Sequence, residues 1–196
     1  MTGRTRSAVS AVVLAAGTGS RFGGTKQLAT VRGRPLVQHA IDAAAGEVDE
    51  VVVVLGHDAD AVEAALALPP HARAVRNPRY AQGQATSLAA GLAACSPGSG
   101  AAVVLLADQP GIRPEHVRAL VRAYREDPGA AAIRLRFRDG PGPALLARRT
   151  WPELAELHGD VGARAWLDAH PGAVRWVELD EPAPADVDRP EDLERA

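Results

Sequence analysis

Three apolar runs rich in β-branched residues constrain the fold more than any other feature of this sequence. They are AVSAVVLAA (residues 8–16), EVVVVLG (50–56) and AAVVLLAD (101–108), and stretches with helical spacing separate them. Strands that read as continuous apolar runs are buried on both faces, as they are in parallel sheets. Because parallel strands need a long crossover, usually a helix, repeated β-α-β units are the expected topology.

The remainder of the chain continues this alternation and predicts a mainly parallel sheet covered on both faces by helices. The alternating IRLRF within residues 131–137 favours an edge or an antiparallel strand. Neither a repeat nor a linker interrupts the pattern, so we expect one domain over residues 1–196. Helices are predicted over 35–46, 58–68, 83–95 and 114–127, and further strands over 72–77, 131–137 and 174–179.

Charge and cysteine content exclude several classes of protein. The chain has 196 residues with a net charge of −2, so no basic surface indicates a nucleic-acid partner. Its single cysteine, Cys95, cannot form an internal disulfide, and no apolar run reaches the ~18 residues of a membrane span. The start MTGRTRSAVS lacks the pattern of a signal peptide. We therefore expect a cytoplasmic protein with no membrane partner.

Ligands of open α/β sheets bind beyond the carboxyl ends of the strands. Three segments meet this condition: the glycine loop after the first strand, NPRYAQGQATS (77–87) and Asp108. Ordinary turn chemistry is the alternative for Asp108, and a plain turn and helix start is the alternative for the 77–87 segment.

The glycine loop, LAAGTGSRFGGTKQL (14–28), fits no common phosphate-binding motif fully. Its third glycine comes one residue too late for G-x-G-x-x-G, and its lysine is misplaced for a P-loop. A flexible turn without a ligand is the remaining alternative. However, Lys26 is the only lysine among 22 basic residues. A compact ammonium suits a crowded cradle of backbone N–H groups better than a planar guanidinium, which favours a triphosphate ligand.

The loop resembles the L-A-A-G-x-G-x-R-F/M-G-x-x-K signature of MobA-like nucleotidyltransferases, and of their molybdenum cofactor cytidylyltransferase branch in particular. Five further segments match that family in order: GRPLVQHAID, NPRYAQGQATSLAAGL, VVLLADQPGI, LHGDVGARAWLDAHP and ADVDRPEDLERA. The resemblance implies a Rossmann-like three-layer α/β/α fold, of the nucleotide-diphospho-sugar transferase type, with a mainly parallel sheet and an antiparallel strand.

The resemblance also implies an activity: transfer of CMP from CTP to the phosphate of the molybdopterin cofactor, with release of pyrophosphate. Arg21, Lys26 and Asp108 would be catalytic, and Asp108 and Asp188 would hold Mg²⁺. A molybdoenzyme would be the recipient of the product. The expected nucleotide-binding residues are Leu14, Ala15, Ala16, Gly17, Thr18, Gly19, Ser20, Arg21, Lys26, Gln82, Gly83 and Ser87.

Several alternatives stay open at this point. They are a molybdopterin guanylyltransferase using GTP, a cytidylyltransferase for a sugar or polyol phosphate, a non-catalytic molybdenum cofactor chaperone and a nicotinamide-dependent dehydrogenase. The Ala15-Ala16-Gly17 triplet favours CTP, because the guanylyl branch usually has L-A-G-G. The stretch DGPGPALL (139–146) lacks the His or Asn that family members often have there. For Asp188, a helix-capping role is the alternative, and Asp186 is a rival metal ligand.

Overall fold

The structure, a computed structural model, describes residues 7–19 and 22–195, without the side chain of Arg195. Within these ranges nine strands and six α-helices alternate along the chain. The strands are β1 (Ala8–Ala15), β2 (Thr30–Val31), β3 (Arg34–Pro35), β4 (Glu50–Leu55), β5 (Ala72–Arg76), β6 (Ser99–Leu106), β7 (Ala132–Phe137), β8 (Gly140–Ala147) and β9 (Val174–Glu178). The helices are α1 (Leu36–Ala45), α2 (Ala59–Ala65), α3 (Gln84–Ala94), α4 (Pro114–Glu126), α5 (Trp151–Ala155) and α6 (Ala163–Ala169).

In the described part of the chain, seven strands form one sheet in the order β5-β4-β1-β6-β8-β7-β9. Neighbouring strands are parallel, except that β8 runs antiparallel to both β6 and β7. A short turn joins β7 to β8, and such a turn can connect only antiparallel strands. The predicted fold class is therefore confirmed. Strand β7, which contains IRLRF, is antiparallel to β8 as expected, but β9 covers its other side, so it is not an edge strand.

Alternate residues of the strands pack into two separate hydrophobic layers. On one face, Val13 and Val53 lie in a core that includes residues of α1, α2 and α4. On the other face, Val12 and Val54 pack with residues of α3, α5 and α6. This burial on both faces explains why β1 and β4 read as continuous apolar runs.

Helix α1 begins at Leu36, one residue later than the sequence predicts, because a hairpin precedes it. Strands β2 and β3 pair antiparallel, and Arg32 and Gly33 between them have φ angles of 48° and 79°. Two residues with positive φ form the type of tight turn that matches strand twist. Elsewhere, α2 ends at Ala65 rather than Leu68. The segment after Asp188, for which helix capping was the alternative role, is a 3₁₀ helix, Pro190–Arg195. None of the helices in the described ranges is long and apolar enough to cross a membrane.

A buried carboxylate ties the strands together at the edge of the sheet where β4 begins. Glu50 accepts hydrogen bonds from Ser10 Oγ at 2.7 Å, from the Ser96 backbone N–H at 2.6 Å and from Arg73 Nη1 at 2.8 Å. Burial alone would raise the pKa of Glu50, but these hydrogen bonds outweigh it and lower the pKa from 4.5 to about 2. The ionised carboxylate therefore stabilises the folded state.

We expect this carboxylate to give the protein a distinct acid dependence of stability. Because the folded-state pKa is lowered, the contribution is complete above pH 4.5 and is lost as the pH falls towards about 2. The shift corresponds to at most ~3 kcal/mol. Urea unfolding across this interval should show a shallower pH dependence for Glu50→Gln than for the wild type. The control Glu156→Gln, at an exposed position, should keep the wild-type slope; an unchanged slope for Glu50→Gln would contradict the assignment.

Candidate active site

A cavity of about 590 Å³ opens at the edge of the sheet where β1 and β6 end. Every predicted site residue that the structure describes lines it: residues 14–19, Lys26, Gln82, Gly83, Ser87, Asp108 and Asp188. Ser20 and Arg21 lie outside the described residues. Strand direction explains this convergence, because the carboxyl ends of parallel strands meet at one edge of the sheet.

In the described part of the glycine loop, the backbone at residue 19 requires a glycine. Gly19 has a φ of +59°, and a Cβ at this position would lie only 2.6 Å from the Gly24 carbonyl oxygen. Gln27, which is buried, fastens the other side of the loop: its Nε2 donates to the carbonyl oxygens of Ala15 at 3.0 Å and Gly17 at 2.6 Å. Gln27 is not among the predicted site residues, although its position next to Lys26 is a signal that could have identified it.

Lys26 lies between two carboxylates. Its Nζ donates to Asp108 Oδ2 and to Asp188 Oδ1, each at 3.0 Å, and its side chain is 13% exposed. Burial lowers the pKa of the Lys26 ammonium, but the charge and hydrogen bond of Asp108, together with those of Asp188, more than compensate and raise it above 10.5. Lys26 therefore stays positively charged throughout the neutral range.

Packing of the C-terminal segment brings Asp188 to this site. Val187 is fully buried against Val31 and Leu36, and its backbone N–H donates to the Asp108 carbonyl oxygen at 2.9 Å. Asp188 follows directly, and its Oδ1 accepts the hydrogen bond from Lys26 Nζ. The rival residue Asp186 instead accepts a hydrogen bond from Gln109 Nε2 at 2.8 Å.

The opposite wall of the cavity is formed where α3 begins. Gly83 has a φ of +109°, and a Cβ there would overlap the backbone of Gly159. The Ala85 N–H donates to the Gly159 carbonyl oxygen at 3.2 Å, so the segment around Asp160 packs against the start of α3. Asp160 lines the cavity, whereas Arg164 forms its i,i+4 ion pair with Asp168 and not with Asp160.

Asn77 orients the hydroxyl of Ser87 at this wall. Asn77 Oδ1 accepts the Arg79 backbone N–H at 3.0 Å, which fixes the orientation of the amide. Its Nδ2 then donates to Thr86 Oγ1 at 2.9 Å and to Ser87 Oγ at 3.0 Å. Because Ser87 accepts this bond, its own proton is available to a ligand in the cavity. The turn and the helix start are both present, and a ligand role for the segment 77–87 stays a prediction.

The carboxylates at this site are suited to a divalent cation that also binds substrate phosphates. Within the described ranges, no group of three or more His, Cys, Asp or Glu side chains is arranged to hold a metal. Mg²⁺, however, is usually held by one or two carboxylates plus phosphates and water. Asp108 Oδ1 is buried and, among the described residues, has no hydrogen-bond partner, which leaves its lone pairs free for a cation.

The mainly parallel sheet, with the glycine loop and two carboxylates at its carboxyl edge, places the protein in the nucleotidyltransferase superfamily. Residues 11–174 match the family model of the MobA-like NTP transferase domain, and the chain belongs to this family.

Relatives of known name or structure share this fold along almost the whole chain. The nicotine blue oxidoreductase of Paenarthrobacter nicotinovorans is 36% identical over 197 residues, which cover 95% of each chain. The crystal structure of Rv0371c from Mycobacterium tuberculosis H37Rv has a TM-score of 0.84 and 33% identity, over 97% of this chain and 98% of that one. A structure of Rv0371c with manganese has a TM-score of 0.79 and 32% identity, with the same coverage. A nucleotidyl transferase from Methanothermobacter has a TM-score of 0.79 and 25% identity, over 96% and 95% of the two chains.

Proposed function

We propose that the protein transfers CMP from CTP to the phosphate of the molybdopterin cofactor and releases pyrophosphate. The observation that carries the proposal is the ion-pair cluster of Lys26, Asp108 and Asp188, which lines one cavity together with residues 14–19 of the glycine loop. Such a cavity offers both backbone N–H groups and charges to a metal-bound triphosphate.

In this proposal, the glycine loop and the start of α3 hold the nucleotide, and Ser87 donates a hydrogen bond to it. Lys26 neutralises the triphosphate, and Arg21 is proposed to assist. Asp108 and Asp188 would hold Mg²⁺, which neutralises charge on the phosphates when it is bound. An oxygen of the acceptor phosphate attacks the α-phosphorus of CTP, and the bond between the α-phosphorus and the α,β-bridging oxygen breaks, so that this bridging oxygen leaves as part of pyrophosphate. Because the attacking oxygen is already anionic, the residues need to align two anions and do not need a strong base.

The choice of CTP follows from the Ala15-Ala16-Gly17 triplet, whose residues all line the cavity. We expect faster pyrophosphate release with CTP than with GTP, by at least about tenfold, since a hydrogen-bonded base pocket discriminates by one or more kcal/mol. The experiment incubates the protein with each NTP, Mg²⁺ and purified molybdopterin cofactor, and measures pyrophosphate. Equal or faster turnover with GTP would replace the cytidylyl assignment with the guanylyl one, and turnover of a sugar or polyol phosphate instead would change the acceptor.

A redox activity is the second candidate function, because a relative similar over the full chain is named nicotine blue oxidoreductase. A redox activity would not require a metal-bound triphosphate at Lys26 and the two carboxylates. To test it, the same preparation is mixed with NADH or NADPH and an acceptor dye, and the absorbance of the reduced nicotinamide is measured over time. Oxidation of the nicotinamide without pyrophosphate release in the first assay would favour this candidate. A non-catalytic cofactor chaperone would show neither activity.

The two C-terminal aspartates should differ in their effect on activity. Asp188 contacts Lys26 directly, so Asp188→Asn is expected to lower metal-dependent pyrophosphate release by at least about a hundredfold. Asp186 instead accepts a hydrogen bond from Gln109, so Asp186→Asn should lower pyrophosphate release by less than about tenfold. Asp192, rather than Asp188, accepts the backbone N–H groups of Asp188 and Arg189 at this turn. A fully active Asp188→Asn enzyme would favour the helix-capping role of Asp188 over the metal-binding role, because Asn caps about as well as Asp.

The remaining assignments are also part of this proposal. They are a single domain over residues 1–196, a cytoplasmic location, and a molybdoenzyme that receives the product.

A further inference from the structure

We propose that Lys26 occupies the position of the divalent cation between Asp108 and Asp188 until a metal–triphosphate complex displaces its ammonium group. The site would then bind metal and nucleotide together and bind the bare metal weakly. The part that concerns the nucleotide rests on the function proposed above; the part that concerns the bare metal does not.

The geometry provides the first support. A single nitrogen, Lys26 Nζ, binds one oxygen from each carboxylate at 3.0 Å, although Asp108 and Asp188 are 82 and 162 positions away in sequence. A cation held by both carboxylates would need the same region between them. Asp108 Oδ1 stays buried and unpartnered among the described residues, so Lys26 does not use all the binding capacity of the pair.

Lys26 is also held in this position by its neighbours. Its side chain is only 13% exposed, and its backbone starts the 3₁₀ turn Lys26–Leu28. The next residue, Gln27, is anchored to the glycine loop by two hydrogen bonds. The fold of the loop therefore fixes the backbone from which the ammonium reaches the two carboxylates.

Charge explains why the bare metal would be disfavoured. Two aspartates carry a charge of −2, of which Lys26 already balances one unit. A divalent cation entering alone would meet the ammonium at close range, and repulsion between like charges at partly buried positions is strong. A triphosphate changes this balance, because its oxygens accept hydrogen bonds from the displaced ammonium while they bind the metal.

The test measures metal binding as well as nucleotide binding, without any acceptor, so that no turnover occurs. The first arm titrates Mn²⁺ alone into wild type, Lys26→Met and the control Arg122→Met, and follows free Mn²⁺ by electron paramagnetic resonance. Arg122 is 79% exposed on α4, so its replacement removes the same charge away from the site. The second arm titrates CTP or GTP at saturating Mn²⁺ by calorimetry. Lys26→Gln replaces Lys26→Met if the latter does not fold, as judged by circular dichroism.

We expect opposite effects in the two arms. Lys26→Met should bind bare Mn²⁺ at least about tenfold more tightly than wild type, since a competing charge is removed. The same variant should bind the Mn²⁺–nucleotide complex at least about tenfold more weakly. Arg122→Met should match wild type in both. A merely structural role of Lys26 would weaken binding in both arms and would overturn the proposal.

The remaining outcomes are also decisive. Unchanged or weaker binding of bare Mn²⁺ by Lys26→Met overturns the proposal, and so does the absence of Mn²⁺ binding in every variant. If no variant binds a nucleotide while the first arm gives the expected result, the proposed function fails, but the place of Lys26 between the carboxylates stands.

Discussion

Asp108→Asn is expected to reduce metal-dependent pyrophosphate release by about a thousandfold, the equivalent of losing ~4 kcal/mol of transition-state stabilisation. Asparagine has the same shape, but only one of its two terminal atoms is an oxygen. If that oxygen faces Lys26, the NH₂ group occupies the buried position of Oδ1, where no hydrogen-bond partner is present among the described residues. If the amide is reversed, a donor faces the donor Lys26 Nζ. Either orientation removes a ligand for the metal or the partner of the ammonium.

The measurement is pyrophosphate release with CTP, Mg²⁺ and molybdopterin cofactor at several metal concentrations. Asp139→Asn is a useful control, because Asp139 accepts a backbone N–H from Ala183 and does not line the cavity. It should keep activity within about threefold of wild type. Full activity of Asp108→Asn would remove Asp108 from the metal site and leave it the role of a turn residue before Pro110.

Lys26→Ala is expected to lower kcat/KM for CTP by a factor of about 10² to 10³, as the loss of one charged donor to the transition state does elsewhere. It also removes the ammonium that would donate hydrogen bonds to the triphosphate oxygens, which weakens binding of the nucleotide further. The fold should persist, because the other contacts that hold the glycine loop come from Gln27 and Gly19.

Lys26→Arg tests whether charge alone suffices at this position. The guanidinium is larger and planar, whereas the Lys26 side chain is only 13% exposed and its single nitrogen already lies 3.0 Å from both Asp108 Oδ2 and Asp188 Oδ1. We therefore expect a loss of at least about tenfold in kcat/KM. Both variants are compared with wild type by pyrophosphate release and thermal melting. Wild-type rates for Lys26→Arg would mean that either basic residue serves at this position and that the lysine has no special role.

Local sequence patterns predicted most of the secondary structure, because the side chains concerned favour or interrupt the helix or strand that contains them. The apolar run of β4 must be buried on both faces wherever it lies, and the glycine-rich loop after β1 cannot extend that strand. The hairpin of β2 and β3 was missed, because it consists of two residues per strand, too few to show any periodicity. The position of β7 inside the sheet was also missed, since the covering strand β9 follows it only after two helices.

The sequence itself determined the mainly parallel α/β architecture, the edge of the sheet where the predicted site residues meet, and the family to which the chain belongs. Lys26 was singled out as the only lysine, but its predicted partner was the triphosphate. Only the tertiary structure placed its ammonium between Asp108 and Asp188. The physical reason is that this contact depends on the packing of Val187 against Val31 and Leu36 and on its backbone bond to Asp108. These segments are far apart in the chain, and no local propensity encodes how they meet.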